Sequence, residues 1–153
     1  FNILQQRVRD ARVLDLFAGT GQLGIEALSR GAQRAVFVDR RTDAVKLIRE
    51  NLALTRLEEG AQVVCVDSMA YLNALREKFD LIFLDPPYAD DLLERAVAHI
   101  ARFDILAPDG IMIAESPAEK ELPKLSAPYR VAREYRYGRI KVTLYRRDGE
   151  ETT

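Results

Sequence analysis

The chain has 153 residues, 48% of them hydrophobic and 31% charged. That balance predicts one globular domain, 1–153, and excludes a disordered polar chain or a bilayer-spanning one, because no apolar run nears about 18 residues. Lys and Arg total 23 against 24 Asp and Glu, a net charge of −1, so any nucleic-acid footprint must come from where the charges lie. Apolar runs and helical patterns then alternate along the chain. Arg12 to Ala18 reads as a buried strand that Gly19-Thr20-Gly21 interrupts, and a helix follows from Gln22 to about Arg30, with Gly31 just past its end. Ala35–Val38 is a second strand, and Thr42 is placed to cap a helix carrying Val45, Ile48 and Leu52 on one face.

Val63–Val66 is a third strand, and its apolar run makes Cys65, the single cysteine, a small buried hydrophobe. One cysteine allows neither an internal disulfide nor a Cys/His zinc cluster, which predicts a reducing, cytoplasmic setting and chemistry without a metal. A short helix through Met69, Leu72 and Leu75 leads to a fourth strand, Leu81–Leu84, stopped by Asp85-Pro86-Pro87 because proline cannot continue a central strand. A helix from Asp91 to about Phe103, with Leu92, Ala96 and Ile100 at helical spacing, precedes a fifth strand, Ile111–Ala114. Strands separated by helices imply a mostly parallel α/β sheet covered on both faces, a three-layer architecture. From Tyr129 to Arg147 the pattern alternates about Gly138, which predicts a terminal antiparallel pair, with 148–153 as a frayed end.

Chemistry concentrates at two places. Gly19-x-Gly21-x-x-Gly24 joins the first strand to the first helix, where glycines let a backbone pass close to a ligand at a helix N-terminus, and Asp39 closes the second strand 20 residues after Gly19, where a carboxylate accepts from ribose hydroxyls. Asp15, inside the first strand, would oppose a pyrophosphate but suits a cation, which points to S-adenosylmethionine, with its sulfonium and ammonium, rather than a nicotinamide dinucleotide. The plainer role for Asp15 is to cap a backbone amide. Asp67-Ser68 follows the third strand, where Asp67 either accepts from an adenine amino group or caps a helix, and Arg40 lies beside Asp39, within reach of an adenine ring or of solvent.

Asp85-Pro86-Pro87-Tyr88 carries the strongest signal. Two prolines remove two N–H donors and leave carbonyl oxygens and the Asp85 carboxylate as an acceptor-only rim for an exocyclic amine, while Tyr88 offers a face for a flipped base. Because ligands of parallel sheets bind beyond the carboxyl ends of the strands, the glycine turn and this tetrapeptide are expected to open onto one crevice. Acceptors gripping the amine hydrogens would favour an sp³-like nitrogen aimed at a methyl donor, so catalysis would rest on orientation and electrostatics. His99, the one histidine, reads as structural. Residues 129–147 hold seven Lys/Arg against one Glu, a local charge of +6 that leaves −7 elsewhere. Such a stretch grips phosphates or guards an edge strand against aggregation.

The runs Phe1-Asn-Ile-Leu4, Leu14 to Gly21, Leu23 to Ala32, Asn51-Leu52, Phe79-Asp80, Asp85 to Tyr88 and Glu115-Ser116 resemble the RsmD-type methyltransferases of 16S ribosomal RNA. The resemblance covers nearly the whole chain. It implies a Rossmann-like fold dependent on S-adenosylmethionine, with S-adenosylhomocysteine as product and a seven-stranded sheet ending in an antiparallel hairpin. It implies methyl transfer to the exocyclic N2 of a guanine in the small ribosomal subunit, and the chain is expected to act as a monomer without metal or membrane. It assigns the glycine loop (Phe17, Ala18, Gly19, Thr20, Gly21), Asp39 and Asp67 to the cofactor, and Asp85, Pro86, Pro87 and Tyr88 to the target amine. Members of the family begin with a further basic N-terminal segment that helps hold RNA, and this chain, which opens at Phe1 without an initiator Met, is expected to start just after it. The nearest rival is a DNA adenine-N6 methyltransferase, which also uses Asp-Pro-Pro-Tyr but reads bases with a recognition region that these short loops do not provide. A non-catalytic RNA-binding relic of the fold is the alternative from another class.

Overall fold

The computed structural model describes residues 4, 6–87 and 91–149. Tyr88, Phe1 to Ile3 and 150–153 therefore lie outside the described residues, and with them the expectations for Tyr88, for most of the first matching run and for the end of the tail. The strands form a seven-stranded sheet, mostly parallel and ending in an antiparallel pair, and the chain divides into two compact units, 1–75 and 76–153.

The first unit is built from β1 (Arg12–Asp15), α1 (Gln22–Ser29), β2 (Arg34–Asp39), α2 (Thr42–Thr55), β3 (Ala61–Cys65) and α3 (Ser68–Ala74). Its strands run in the order β3-β2-β1 and all pairs are parallel, so their carboxyl ends share one edge. Val13, Leu14, Val36, Phe37 and Val38 are fully buried, as a strand covered on both faces requires. Gly31 follows α1 with φ +100°, the left-handed position expected for the residue after a helix. On α2, Ala44, Val45, Ile48 and Leu52 form the buried stripe.

Two local expectations for this unit need correction. The cap of α2 is Arg41, whose extended backbone (φ −89°, ψ 127°) starts the helix, while Thr42 is already its first residue and makes no capping bond. Cys65 is exposed, because β3 is an edge strand with a half-solvated pattern, and its thiol donates to the Arg40 carbonyl at 3.6 Å.

The second unit contains β4 (Phe79–Leu84), α4 (Leu92–Arg102), β5 (Leu106–Pro117), β6 (Tyr129–Tyr137) and β7 (Ile140–Arg147), with the strand order β4-β5-β7-β6. β4 and β5 are parallel, whereas β7 is antiparallel to both of its neighbours. The buried stripe of α4 is Leu93, Ala96, Val97 and Ile100, and Leu92 is half-exposed. β5 runs far beyond Ile111–Ala114, because a register shift between Phe79 and Leu81 lets Pro108 and Asp109 ride outside the ladder while pairing resumes on both sides. Among the described residues no helix is long and apolar enough to cross a membrane.

A polar cluster ties the base of this unit together. Asp104 accepts from Arg147 through both carboxylate oxygens (2.7 and 3.0 Å), from the Tyr129 hydroxyl (2.7 Å) and from Lys78 (2.9 Å). The Arg147 guanidinium holds the Asp104 carboxyl well below the usual carboxylate range. Its contribution to stability is therefore present above about pH 4, the unfolded value, and is lost as the pH falls toward the folded one. Asp104→Asn is expected to cost roughly 2 kcal/mol at pH 7, a figure kept low because the Asp104 side chain is 39% exposed. The difference from wild type should shrink in denaturant titrations below pH 4, and a deficit unchanged from pH 7 to pH 2.5 would contradict this origin.

Candidate active site

In the first unit the glycine turn is shaped by three glycines with three different duties. Gly19 has φ +58°, and a Cβ there would meet nothing within 4 Å, so the turn leaves open space above the backbone. Gly21 is the α1 N-cap in the left-handed region (φ 81°, ψ 10°). Gly24 lies against the Phe37 ring, where a Cβ would come within 2.3 Å of Cε1, so the absence of a side chain is what lets α1 seat on β2. The turn is also held from outside, because the Asn51 amide on α2 donates to the Thr20 carbonyl at 3.0 Å. Within it, Phe17 is half-buried and Ala18 buried, and the Ala18 N–H donates to the Val38 carbonyl at 3.0 Å.

Three carboxylates stand at the carboxyl ends of the three parallel strands. Asp15, the last residue of β1 and 3% exposed, accepts from the Gly24 N–H at 3.2 Å. The amide-capping role is thus present in the structure, and it is electrostatically favourable because the carboxylate lies at the positive end of α1. Asp39, the last residue of β2, accepts from the Gly19 N–H through Oδ2 (3.0 Å) and from the Arg41 backbone and side chain through Oδ1 (2.9 and 3.3 Å). It therefore fixes the turn it was expected to serve. Of the roughly four acceptor sites of a carboxylate, three are used and one on Oδ2 remains.

Asp67 caps α3, with Oδ2 accepting from the N–H groups of Met69 (3.1 Å) and Ala70 (3.2 Å), so capping and a ligand contact through Oδ1 are compatible. Ser68, 7% exposed, is the first residue of that helix. Arg40 is exposed at the end of β2. Hydrogen bonds join Asp39 to Gly19 and Asp15 to Gly24, and the parallel pairing of β2 with β3 sets Asp67 at the same edge of the sheet.

In the second unit β4 ends at Leu84, and Asp85, exposed, and Pro86, buried, follow at its carboxyl end. Leu84 pairs with Ala114, so Asp85 and Glu115 come next on adjacent parallel strands. Their side chains are hydrogen-bonded to each other. Partial burial pushes the Asp85 carboxyl up, and the bond to Glu115 offsets part of that rise. Glu115 is raised first by its own burial and then by the charge and hydrogen bond of Asp85. The titration therefore belongs to the pair and not to either carboxyl alone.

The spacing of the tetrapeptide gives no hint of this pair, because it depends on strand register. The only signal was Glu115-Ser116 among the matching runs. Ser116 is fully buried and donates to the Pro117 carbonyl at 3.2 Å. His99 packs against Phe103, the rings tilted by 37° with centroids 4.5 Å apart, in keeping with a structural role.

These two sets of residues sit in a chain that known proteins match along most of its length. The family model described as "Conserved hypothetical protein 95" matches residues 1–146. The Bacillus subtilis protein YlbH is 38% identical over 152 residues, covering 97% of this chain and 83% of its own. The "Ribosomal RNA small subunit methyltransferase D" of Escherichia coli is 33% identical over 150 residues, covering 98% of this chain and 75% of its own. Among solved structures, yhhF of Escherichia coli superposes with a TM-score of 0.90 at 33% identity, over 98% of this chain and 83% of that one. The chain belongs to the Conserved hypothetical protein 95 family, that of the RsmD-type ribosomal RNA methyltransferases.

Proposed function

We propose that this protein transfers a methyl group from S-adenosylmethionine to the exocyclic N2 of a guanine in 16S ribosomal RNA of the small subunit. The observation that carries the cofactor is the row of Asp15, Asp39 and Asp67 at the ends of β1, β2 and β3 around an open glycine turn. An acidic rim of that kind suits a cationic nucleoside and repels a pyrophosphate. Asp39 would hold the ribose through its remaining acceptor site, Asp67 the adenine amino group through Oδ1, and the turn the amino-acid end. When bound, the cofactor supplies an electrophilic methyl group on a sulfonium. The names of the relatives, ribosomal RNA methyltransferases, support RNA as the substrate.

The work of the second unit is to present the amine. Asp85 accepts one amine hydrogen and the proline-ended rim offers carbonyl oxygens to the other, which localises the nitrogen lone pair for attack. As the new C–N bond formed and the methyl–sulfur bond broke, with S-adenosylhomocysteine leaving as the neutral thioether, the amine nitrogen would become more acidic and pass its proton to Asp85. Glu115 would assist, because its hydrogen bond offsets part of the rise that burial imposes on Asp85.

Two predictions follow from these assignments. Asp39→Ala is expected to weaken S-adenosylmethionine binding about 10- to 100-fold in calorimetric titration, because a charge-assisted hydrogen bond and the anchor of Gly19 are both lost. Unchanged affinity would remove Asp39 from the cofactor site. Glu115→Ala removes the bond that lowers Asp85, so the acid limb of the kcat profile should move to higher pH, while Glu115→Gln, which retains a donor, should stay near wild type. Coincident profiles for all three proteins would contradict the pairing. The reading as a whole is tested by offering labelled S-adenosylmethionine with small ribosomal subunits, naked 16S RNA or DNA. Label in RNA is expected, and label in DNA alone would overturn it in favour of a DNA methyltransferase.

A further inference from the structure

β6 is an edge strand that the core does not hold. Of its nine residues only Tyr129 is buried and Tyr135 half-buried, and the others are exposed on both faces. Such a strand contributes little to stability and invites edge-to-edge pairing, so its composition asks for another reason. The basic residues of the tail divide in two. Arg147 pairs with Asp104, Arg146 with Asp109, Arg130 with Asp148 and Lys141 with Glu134. Arg133, Arg136 and Arg139 collect toward the turn at Gly138, all exposed, and the hydrogen bonds of Arg133 and Arg136 go to neutral oxygens.

The aromatic residues share that end. Alternation along a strand sets Arg133, Tyr135 and Tyr137 on one face. The Tyr135 and Tyr137 rings lie nearly parallel, 16° apart, with centroids separated by 6.5 Å, and Arg133 donates to the Tyr135 hydroxyl at 3.1 Å, which holds the guanidinium beside the rings. Tyr137 is 59% exposed. The strand partners of the two tyrosines, Val142 and Ile140 on β7, are themselves half-exposed, so the platform continues onto β7.

Register places this platform beside the target-binding rim. Asp85 is level with Glu115, Glu115 pairs with Val142 and Val142 with Tyr135. Three strand spacings, roughly 14 Å, therefore separate the Asp85 position from the Tyr135 position. The turn of the β6–β7 hairpin lies at the carboxyl end of β5, the end that carries Glu115.

We infer that the exposed face of the β6–β7 hairpin is a single-stranded RNA platform. Bases flanking the target nucleotide stack on Tyr135, Tyr137 and the Arg133 guanidinium, and phosphates are held by Arg136 and Arg139. Every base has a face to stack, so the platform is tolerant of sequence, while the need for unstacked bases excludes a duplex. The inference rests on the reading of the chain as an RNA methyltransferase and names the surface that would hold its substrate. The alternative partner for an open edge is a strand of another protein, which the exposed charges of Arg133, Arg136 and Arg139 disfavour.

The test uses the whole chain, a mixed-sequence single-stranded RNA dodecamer carrying a fluorophore, and the same sequence as duplex DNA, with S-adenosylmethionine binding measured in parallel. Tyr135→Ala and Tyr137→Ala are each expected to weaken RNA binding about tenfold, and Tyr135→Phe and Tyr137→Phe to restore most of it. Arg136→Ala and Arg139→Ala should each lower the slope of log affinity against log salt by about one. All variants should bind S-adenosylmethionine as wild type does, which also shows that they are folded. Wild-type RNA affinity in the Tyr135→Ala/Tyr137→Ala double variant, or a preference for the duplex, would overturn the platform. Loss of S-adenosylmethionine binding by the wild-type chain would instead overturn the enzymatic reading, whatever the RNA does.

Discussion

Asp85→Ala is expected to lower kcat for methyl transfer by a factor on the order of a hundred or more while leaving the affinity for S-adenosylmethionine unchanged. Asp85 lies in the second unit, at the end of β4, whereas the proposed cofactor contacts all lie in the first, on the turn after β1 and at the ends of β2 and β3. The substitution removes the Asp85 carboxylate from the rim and leaves Glu115 without the carboxyl beside it. Asp85→Asn keeps an acceptor oxygen in place but does not take up a proton at neutral pH, so it should fall between wild type and Asp85→Ala. Near-wild-type turnover by Asp85→Ala would remove the carboxylate from the chemistry, and a parallel loss of cofactor binding would show that it acts on the fold instead. Isothermal titration and single-turnover transfer, run on the same preparations, separate these results.

Gly24→Ala is expected to lower stability by about 3 kcal/mol, or roughly 6–12 °C in Tm. An exposed helical glycine replaced by alanine usually gains up to about 1 kcal/mol. Here the sign reverses, because the new Cβ would lie 2.3 Å from Cε1 and 2.7 Å from Cζ of Phe37, a ring with no exposed surface and no room to retreat. The clash would also push the Gly24 N–H away from Asp15, loosening the buried carboxylate from α1. Adding Phe37→Leu should return part of the lost stability, since it shortens the side chain that the Cβ meets. A melting temperature at or above wild type for Gly24→Ala would contradict the close seating of α1 on β2.

Much of the fold was legible because its signals are local. Buried runs such as Val36–Val38, the glycines at 19, 21 and 31, and the prolines after Asp85 each act within a few residues of where they stand. The alternation about Gly138 likewise gave the hairpin, with β6 and β7 at the bounds expected. Strand order is not local, and the misreading of Cys65 follows from it. Cys65 looked buried because Val63, Val64 and Val66 flank it, but β3 has a neighbour on one side only, and half of it faces water.

The same limit governs the candidate site. Asp15, Asp39 and Asp67 were singled out from spacing after strands, and the structure gives each a backbone partner as well. Glu115 was out of reach of spacing, because 30 residues and a helix separate it from Asp85 and only the β4–β5 register brings the two side by side. The basic tail was legible as charge, yet which arginines are committed to ion pairs and which cluster at the turn depends on carboxylates contributed by Asp104, Asp109 and Asp148.

The most direct test of the central claim is nucleoside analysis by mass spectrometry of 16S RNA from unmodified small subunits, after incubation with the wild-type protein and isotopically labelled S-adenosylmethionine. The account predicts label in N2-methylguanosine, and none when Asp85→Ala replaces the wild-type protein. Label confined to another nucleoside, or to no RNA at all, would contradict it.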